Sequence, residues 1–167
     1  MFTGSYERVL DTSFRFKLPA ALAAQLREEQ EGNEGALVFV REPECVCIYS
    51  MQAFAALLKA VSSAPGSSRD RMAARWLART AVCTAQDAQN RVVIPAPLRR
   101  PYAFVSRGPV MLVGMLDHIE LWEHARYVEM ERETEKDIQA LRAYLAAHYP
   151  IVQPPVPEIS PEGGDES

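Results

Sequence analysis

Two arginines at matched positions, each four residues after an aspartate, are the side chains in this sequence best suited to recognition chemistry. Asp11-Thr-Ser-Phe-Arg15-Phe-Lys17-Leu18-Pro19-Ala20-Ala21-Leu22 returns 76 residues later as Asp87-Ala-Gln-Asn-Arg91-Val-Val-Ile94-Pro95-Ala96-Pro97-Leu98. A guanidinium is a planar fork of donors that fits phosphate or the O6/N7 edge of guanine. The aspartate of such a turn can accept backbone N–H bonds, or pair with its own arginine, and so hold the turn in shape. The spacing weighs the structural and the recognition readings evenly, and the two are compatible. Lys17 and Arg8 join the candidate DNA-binding set of Arg15 and Arg91 by charge and proximity, with Asp11 and Asp87 as the turn-bracing pair.

Catalysis finds little support in the same residues. The sequence has no Gly-rich phosphate loop, no Gly-x-Ser-x-Gly elbow and no His-Glu-x-x-His. An acid–base role for the Asp11 and Asp87 carboxylates is disfavoured because the arginine four residues on holds each in its ionised form. No enzyme activity, cofactor, metal or small-molecule substrate is therefore expected. Cys45, Cys47 and Cys83 form neither an even set nor a Cys-x-x-Cys pair, so they are expected to pack as buried thiols in a reducing compartment. A zinc site would have to combine them with His118, His124 and His148, without ligand spacing to favour it.

The charge is uneven. Residues 150–167 carry Glu158, Glu162, Asp165 and Glu166 and no base, which accounts for the formal charge of −4. Residues 64–107 hold Arg69, Arg71, Arg75, Arg79, Arg91, Arg99, Arg100 and Arg107 against Asp70 and Asp87 alone. Such an excess makes a candidate phosphate-facing surface, or a solvated helix face paired to acids elsewhere. No run of apolar residues is long enough to span a membrane and no signal-peptide pattern opens the chain, so a soluble cytoplasmic protein is expected.

The elements that must position the turns also recur. Leu37-Val-Phe-Val40 aligns with Val110-Met-Leu-Val113, and Val46-Cys-Ile48-Tyr49 with Ile119-Glu-Leu121-Trp122, now at an offset of 73. The three-residue difference falls in the polar run Glu28–Gly35, where loop length is tolerated. The expected division is a first repeat over 1–62, a linker and short helix over 63–80, a second repeat over 81–149, and a disordered acidic Pro-rich tail over 150–167. Tyr6–Leu10 and Phe14–Leu18 read as a hairpin or a tightly bent strand pair. Ser50 is expected to cap a helix burying Phe54, Leu57, Leu58 and Val61 on one face. The helix after Ser62–Ser68 is expected to bury Met72, Trp76 and Leu77. One long helix is expected from His124 to about His148, with Tyr127, Met130, Thr134, Ile138, Leu141 and Leu145 as a narrow seam suited to another helix, including one from a neighbouring subunit.

The two Asp-x-x-x-Arg-x-x-(Leu/Ile)-Pro motifs, the opening Met-Phe-x-Gly, Val-Met-Leu-Val-Gly at 110–114 and Ile-Glu-Leu-Trp at 119–122 together resemble the MraZ family of bacterial transcriptional regulators, of the AbrB-like swapped-hairpin class. The resemblance covers roughly residues 1–145. It implies an α+β fold in which two tandem β-α-β repeats interlock as a pseudo-two-fold swapped-hairpin barrel, with outer helices and a long C-terminal helix. It also implies a homo-oligomeric ring, nucleoid association, and sequence-specific binding of double-stranded DNA at direct repeats in the promoter of the regulator's own division and cell-wall operon. Arg15 and Arg91 match the motif arginines that reach DNA; Asp11 and Asp87 match the residues that brace them.

The family usually has Gly before the motif arginine, where this chain has Phe14 and Asn90. If that position needs a positive φ, Asn accepts it readily and Phe at the expense of strain. The first turn is thus expected to differ in shape from the second. Two alternatives stand beside the DNA reading. One is an AbrB-type antitoxin, binding a toxin through the tail. The other is a structural ring that recruits a protein partner without binding DNA.

Overall fold

The computed structural model describes residues 1–29, 35–63 and 67–149. The expected acidic tail, the middle of the polar loop and the middle of the interrepeat linker lie outside the described residues. The described chain is α+β, with antiparallel strand pairing throughout. The first repeat runs β1 (Ser5–Val9), β2 (Arg15–Lys17), α1 (Ala20–Glu29), β3 (Ala36–Arg41), β4 (Val46–Ser50) and α2 (Met51–Ser63). After α3 (Ser68–Thr80), the same order returns as β5 (Val82–Ala85), β6 (Arg91–Val93), α4 (Ala96–Arg99), β7 (Pro109–Met115), β8 (His118–Glu123) and α5 (His124–Lys136), followed by α6 (Ile138–His148).

The strands join across the repeats. Six form one sheet in the order β1-β7-β8-β4-β3-β5, and β2 and β6 form a separate two-stranded ribbon. β1 lies on β7, from Ser5↔Val113 to Val9↔Pro109. β5, its equivalent, lies on β3, from Ala36↔Ala85 to Phe39↔Val82. Each repeat thus adds its opening strand to the β-hairpin of the other. The hairpins meet at β4·β8, where Cys47 faces Glu120; these are equivalent positions under the offset of 73, so a pseudo-two-fold passes through this pair. The strands at the centre of the sheet are apolar almost without interruption, as in β3 and β4, because both their faces are covered.

Alternation decides which residues line the core. Leu37 and Phe39 of β3, Val46 and Ile48 of β4, Val110 and Leu112 of β7, and Ile119 and Leu121 of β8 point to one side of the sheet. They meet Phe16 and Val92 of the ribbon, Leu22, Ala23 and Leu26 of α1, and Leu98 of α4. Phe2 is fully buried in the same core. Its N–H donates to the Leu116 carbonyl at 2.8 Å, and a Cβ on Gly114 would strike the Phe2 and Thr3 backbone. The opening Met-Phe-x-Gly is therefore a latch laid across β7.

Several expectations are corrected. Of the two readings of Tyr6–Leu10 and Phe14–Leu18, the hairpin is not found and the bent pair is: the chain turns sharply between them, and each strand takes its partner from the second repeat. The long C-terminal helix is divided. Asp137 sits at φ −108°, ψ 10°, its N–H reaching back only three residues to Thr134 while its carbonyl starts α6 by accepting from Leu141. Aspartate is a poor interior helix residue and a good starter, which suits that position. In α3, Leu77 is buried but Met72 and Trp76 are 66% and 37% exposed, because the covered stripe runs through Ala74 and Leu77. Cys83 is exposed, unlike Cys45 and Cys47, since it alternates outward on the edge strand β5.

The chain divides into two compact units, Met1–Val128 and Glu129–Ser167. In the second, α6 buries none of its described residues, and Ile138, Leu141 and Tyr144 remain exposed. No helix among the described residues is long and apolar enough to cross a membrane.

Candidate nucleic-acid interface

Each Asp-x-x-x-Arg segment folds as one tight turn. In the first, the Phe14 N–H donates to the Asp11 carbonyl at 3.1 Å and the Asp11 N–H to the Arg15 carbonyl at 2.8 Å. In the second, Asn90 and Asp87 make the equivalent bonds, both at 2.9 Å. The aspartate side chain closes the loop from inside. Asp11 Oδ1 accepts from the N–H groups of Ser13 and Arg15 at 2.7 and 2.9 Å, and Asp87 Oδ1 from those of Gln89 and Arg91, both at 2.9 Å. These bonds favour the ionised form, and that of the arginine N–H is foremost in holding each carboxyl below its usual range.

Phe14 and Asn90 both adopt φ +60°, so the expected difference in shape between the turns is not found. A non-glycine residue there costs about 1 kcal/mol or more. Phe14 offsets it by non-local contacts. Its ring packs against the core and lies under the Arg99 guanidinium, 4.3 Å from the ring centroid. Asn90 is instead held by Gln86, whose amide donates to its Oδ1.

The two turns are stitched to opposite ends of the ribbon. The Leu18 N–H donates to the Asn90 carbonyl and the Ile94 N–H to the Phe14 carbonyl, both at 2.9 Å. Between them Arg15 pairs with Val93, Phe16 with Val92 and Lys17 with Arg91. Strand alternation then turns Phe16 and Val92 into the core and Arg15, Lys17 and Arg91 outward. Arg8 joins them from β1, its Nε donating to the Lys17 carbonyl at 3.1 Å. Of the four cations chosen from sequence, Arg15, Lys17 and Arg91 therefore share one face of the ribbon and Arg8 sits at its edge, with Arg15 and Arg91 roughly 8 Å apart along the ribbon diagonal by standard strand spacing.

The two arginines differ in restraint. Arg91 Nε donates to Asp87 Oδ2 at 2.7 Å, in a pair about 40% exposed on each side. Among the described residues, no hydrogen bond or ion pair holds the guanidinium of Arg15. Of the remaining arginines, Arg69, Arg71, Arg75 and Arg79 lie on α3, which packs on α2 and β3. Arg99, by contrast, sits beside the first turn and donates from Nε to the Ile94 carbonyl at 2.9 Å. The sequence placed Arg99 in an arginine-rich segment; its contact with Phe14, 85 residues away, left no local signal.

Comparison with known proteins now bears on this geometry. Residues 77–145 match the model of the MraZ protein family, whose description carries an antitoxin-like label. A protein of Cutibacterium acnes named transcriptional regulator MraZ is 31% identical over 142 residues, spanning 83% of this chain and 94% of its own. The chain belongs to the MraZ family. MraZ regulators of Kocuria rhizophila and Frankia alni are 34% and 32% identical, over 81% and 80% of this chain and 90% and 91% of theirs. The likeness is therefore too long to be confined to the second repeat and extends into the first. The ribbon with its two turns is the feature of this MraZ-family chain most suited to an anionic partner.

Proposed function

We propose that this protein is a transcriptional regulator that binds double-stranded DNA with the β2·β6 ribbon. The observation that carries the proposal is the meeting of Arg15, Lys17 and Arg91 on one outward face, with Arg8 at its edge, in a chain whose relatives are named transcriptional regulators. A two-stranded ribbon fits the major groove of B-form DNA. Arg15 and Arg91 would read guanine edges there, Lys17 and Arg8 would contact phosphates, and Asp11 and Asp87 would fix the turns that aim the arginines. The cross-paired β1·β7 and β5·β3 ladders are what a swapped-hairpin barrel requires, and they support that reading of the fold.

Two arginines give limited affinity, since a good base contact contributes about 1–3 kcal/mol. A ring of subunits meeting direct repeats would multiply it by effective concentration. Two different exposed apolar patches at opposite ends of the β1·β7 pair support a head-to-tail interface of the kind rings use. Val9 and Val105 are about 60% exposed at one end, and Leu116 and Met115 are 62% and 42% exposed at the other. Direct repeats in the promoter of the protein's own division and cell-wall operon are the proposed target, as the family resemblance implies. The protein would act in the cytoplasm, at the nucleoid.

The antitoxin-like label of the family model supports a second reading, in which the same ribbon binds DNA while residues 150–167 hold a toxin. Binding to a labelled duplex of the protein's own upstream region, against a random duplex over a range of salt, tests the DNA proposal. Preference for the upstream duplex with affinity falling steeply as salt rises is expected. Equal affinity for both duplexes overturns it in favour of a scaffold.

A further inference from the structure

On the side of the sheet turned away from the core and ribbon, the pseudo-two-fold brings a different set of side chains together. Cys45, in the bend just before β4, and Cys47, within it, bring their sulfurs within 4.8 Å of each other and are 4% and 3% exposed. Glu120 of β8 is the register partner of Cys47, and His118 is two residues before it on the same side. Under the offset of 73, His118 and Glu120 are the second-repeat equivalents of Cys45 and Cys47. Two structural positions, each met twice across the axis, carry thiols on one side and an imidazole and a carboxylate on the other.

We propose that Cys45, Cys47 and Glu120 form a binding site for a thiophilic divalent metal ion, with zinc as its simplest occupant and His118 next to Cys47 at its margin. Ligand atoms of Cys45, Cys47 and Glu120 already lie within 4.8 Å of one another. A tetrahedral zinc with Zn–S bonds of about 2.3 Å needs sulfurs about 3.8 Å apart, so side-chain rotation suffices. The supporting contacts are of the kind metal sites use to orient ligands. His118, next to Cys47, has its Nδ1 2.7 Å from Asp117 Oδ1. The Trp122 indole donates to Glu120 Oε2 at 2.9 Å, and Tyr49 stacks on the His118 ring at 5.0 Å between centroids.

A disulfide is the rival use of two neighbouring cysteines, and keeping the chain reduced separates the two. A cleft of about 430 Å³ lined by Glu42, Tyr49, His118, Glu120 and Trp122 beside the thiols gives an ion access. Since β4 belongs to the first repeat and β8 to the second, a bound ion would staple the repeats together.

The test uses the full chain, reduced and stripped with a chelator, titrated with zinc against a chromophoric competitor and with cobalt to read the thiolate charge-transfer band. One ion per chain, the band, and a melting temperature that rises with zinc are expected. Cys45→Ser, Cys47→Ser and Glu120→Gln should each weaken binding at least about tenfold, and Cys83→Ser should not. Glu120→Gln keeps the test open if a cysteine variant fails to fold. No stoichiometric binding by the reduced chain, or binding by Glu120→Gln and the cysteine variants equal to that of the unaltered protein, overturns the proposal.

Discussion

Asp11 and Asp87 show how far single residues can be read. Each accepts two backbone N–H bonds inside its own turn, a local pattern that the repeated spacing made legible. Both carboxyls are held below the usual value, so their contribution is present above it and is lost as pH falls below about 3.8 toward the folded value. Asp11→Asn and Asp87→Asn should therefore lower the melting temperature at pH 7, with the difference from the unaltered protein shrinking as pH falls from 4 to 2. An undiminished difference at pH 2 would show that the charge is not what holds the turn. Phe14 was not legible in this way. Its positive φ is offset by Arg99, and nothing in the local sequence announces a contact between those two residues. Arg99→Ala should destabilise the protein while leaving the second turn unaffected, as backbone amide shifts at Phe14 and Asn90 would reveal.

Among the elements, strands and helices followed from periodicity and turn residues, but their partners did not. β1 and β2 are adjacent in sequence, yet each pairs with the second repeat, because register is decided by the apolar faces of distant strands. The exposure of Trp76 and Met72 has a related origin: helical spacing defines a stripe, and tertiary packing decides which stripe is covered. The ribbon is anchored by Phe16, which is 1% exposed. Phe16→Ala should cost about 3–5 kcal/mol in chemical denaturation. It should also weaken DNA binding without removing any cation from the surface. A loss of less than 1 kcal/mol would mean that the ribbon does not depend on this core.

For the molecule as a whole, the duplication was the most legible feature, and its consequence is that neither repeat is complete alone. Fragments 1–62 and 63–149 should be largely unfolded apart and regain β-sheet circular dichroism when mixed, since each supplies the other's edge strand. The convergence of Arg8, Arg15, Lys17 and Arg91 depends on that exchange, which is why sequence could nominate these residues without showing them side by side. The most direct measurement is the affinity of Arg15→Ala and Arg91→Ala, both shown to be folded, for the upstream and the random duplex at fixed salt. Each should lose about 1–3 kcal/mol, roughly 5- to 150-fold, on the upstream duplex and much less on the random one. Unchanged discrimination in both variants would contradict a reading surface on this ribbon.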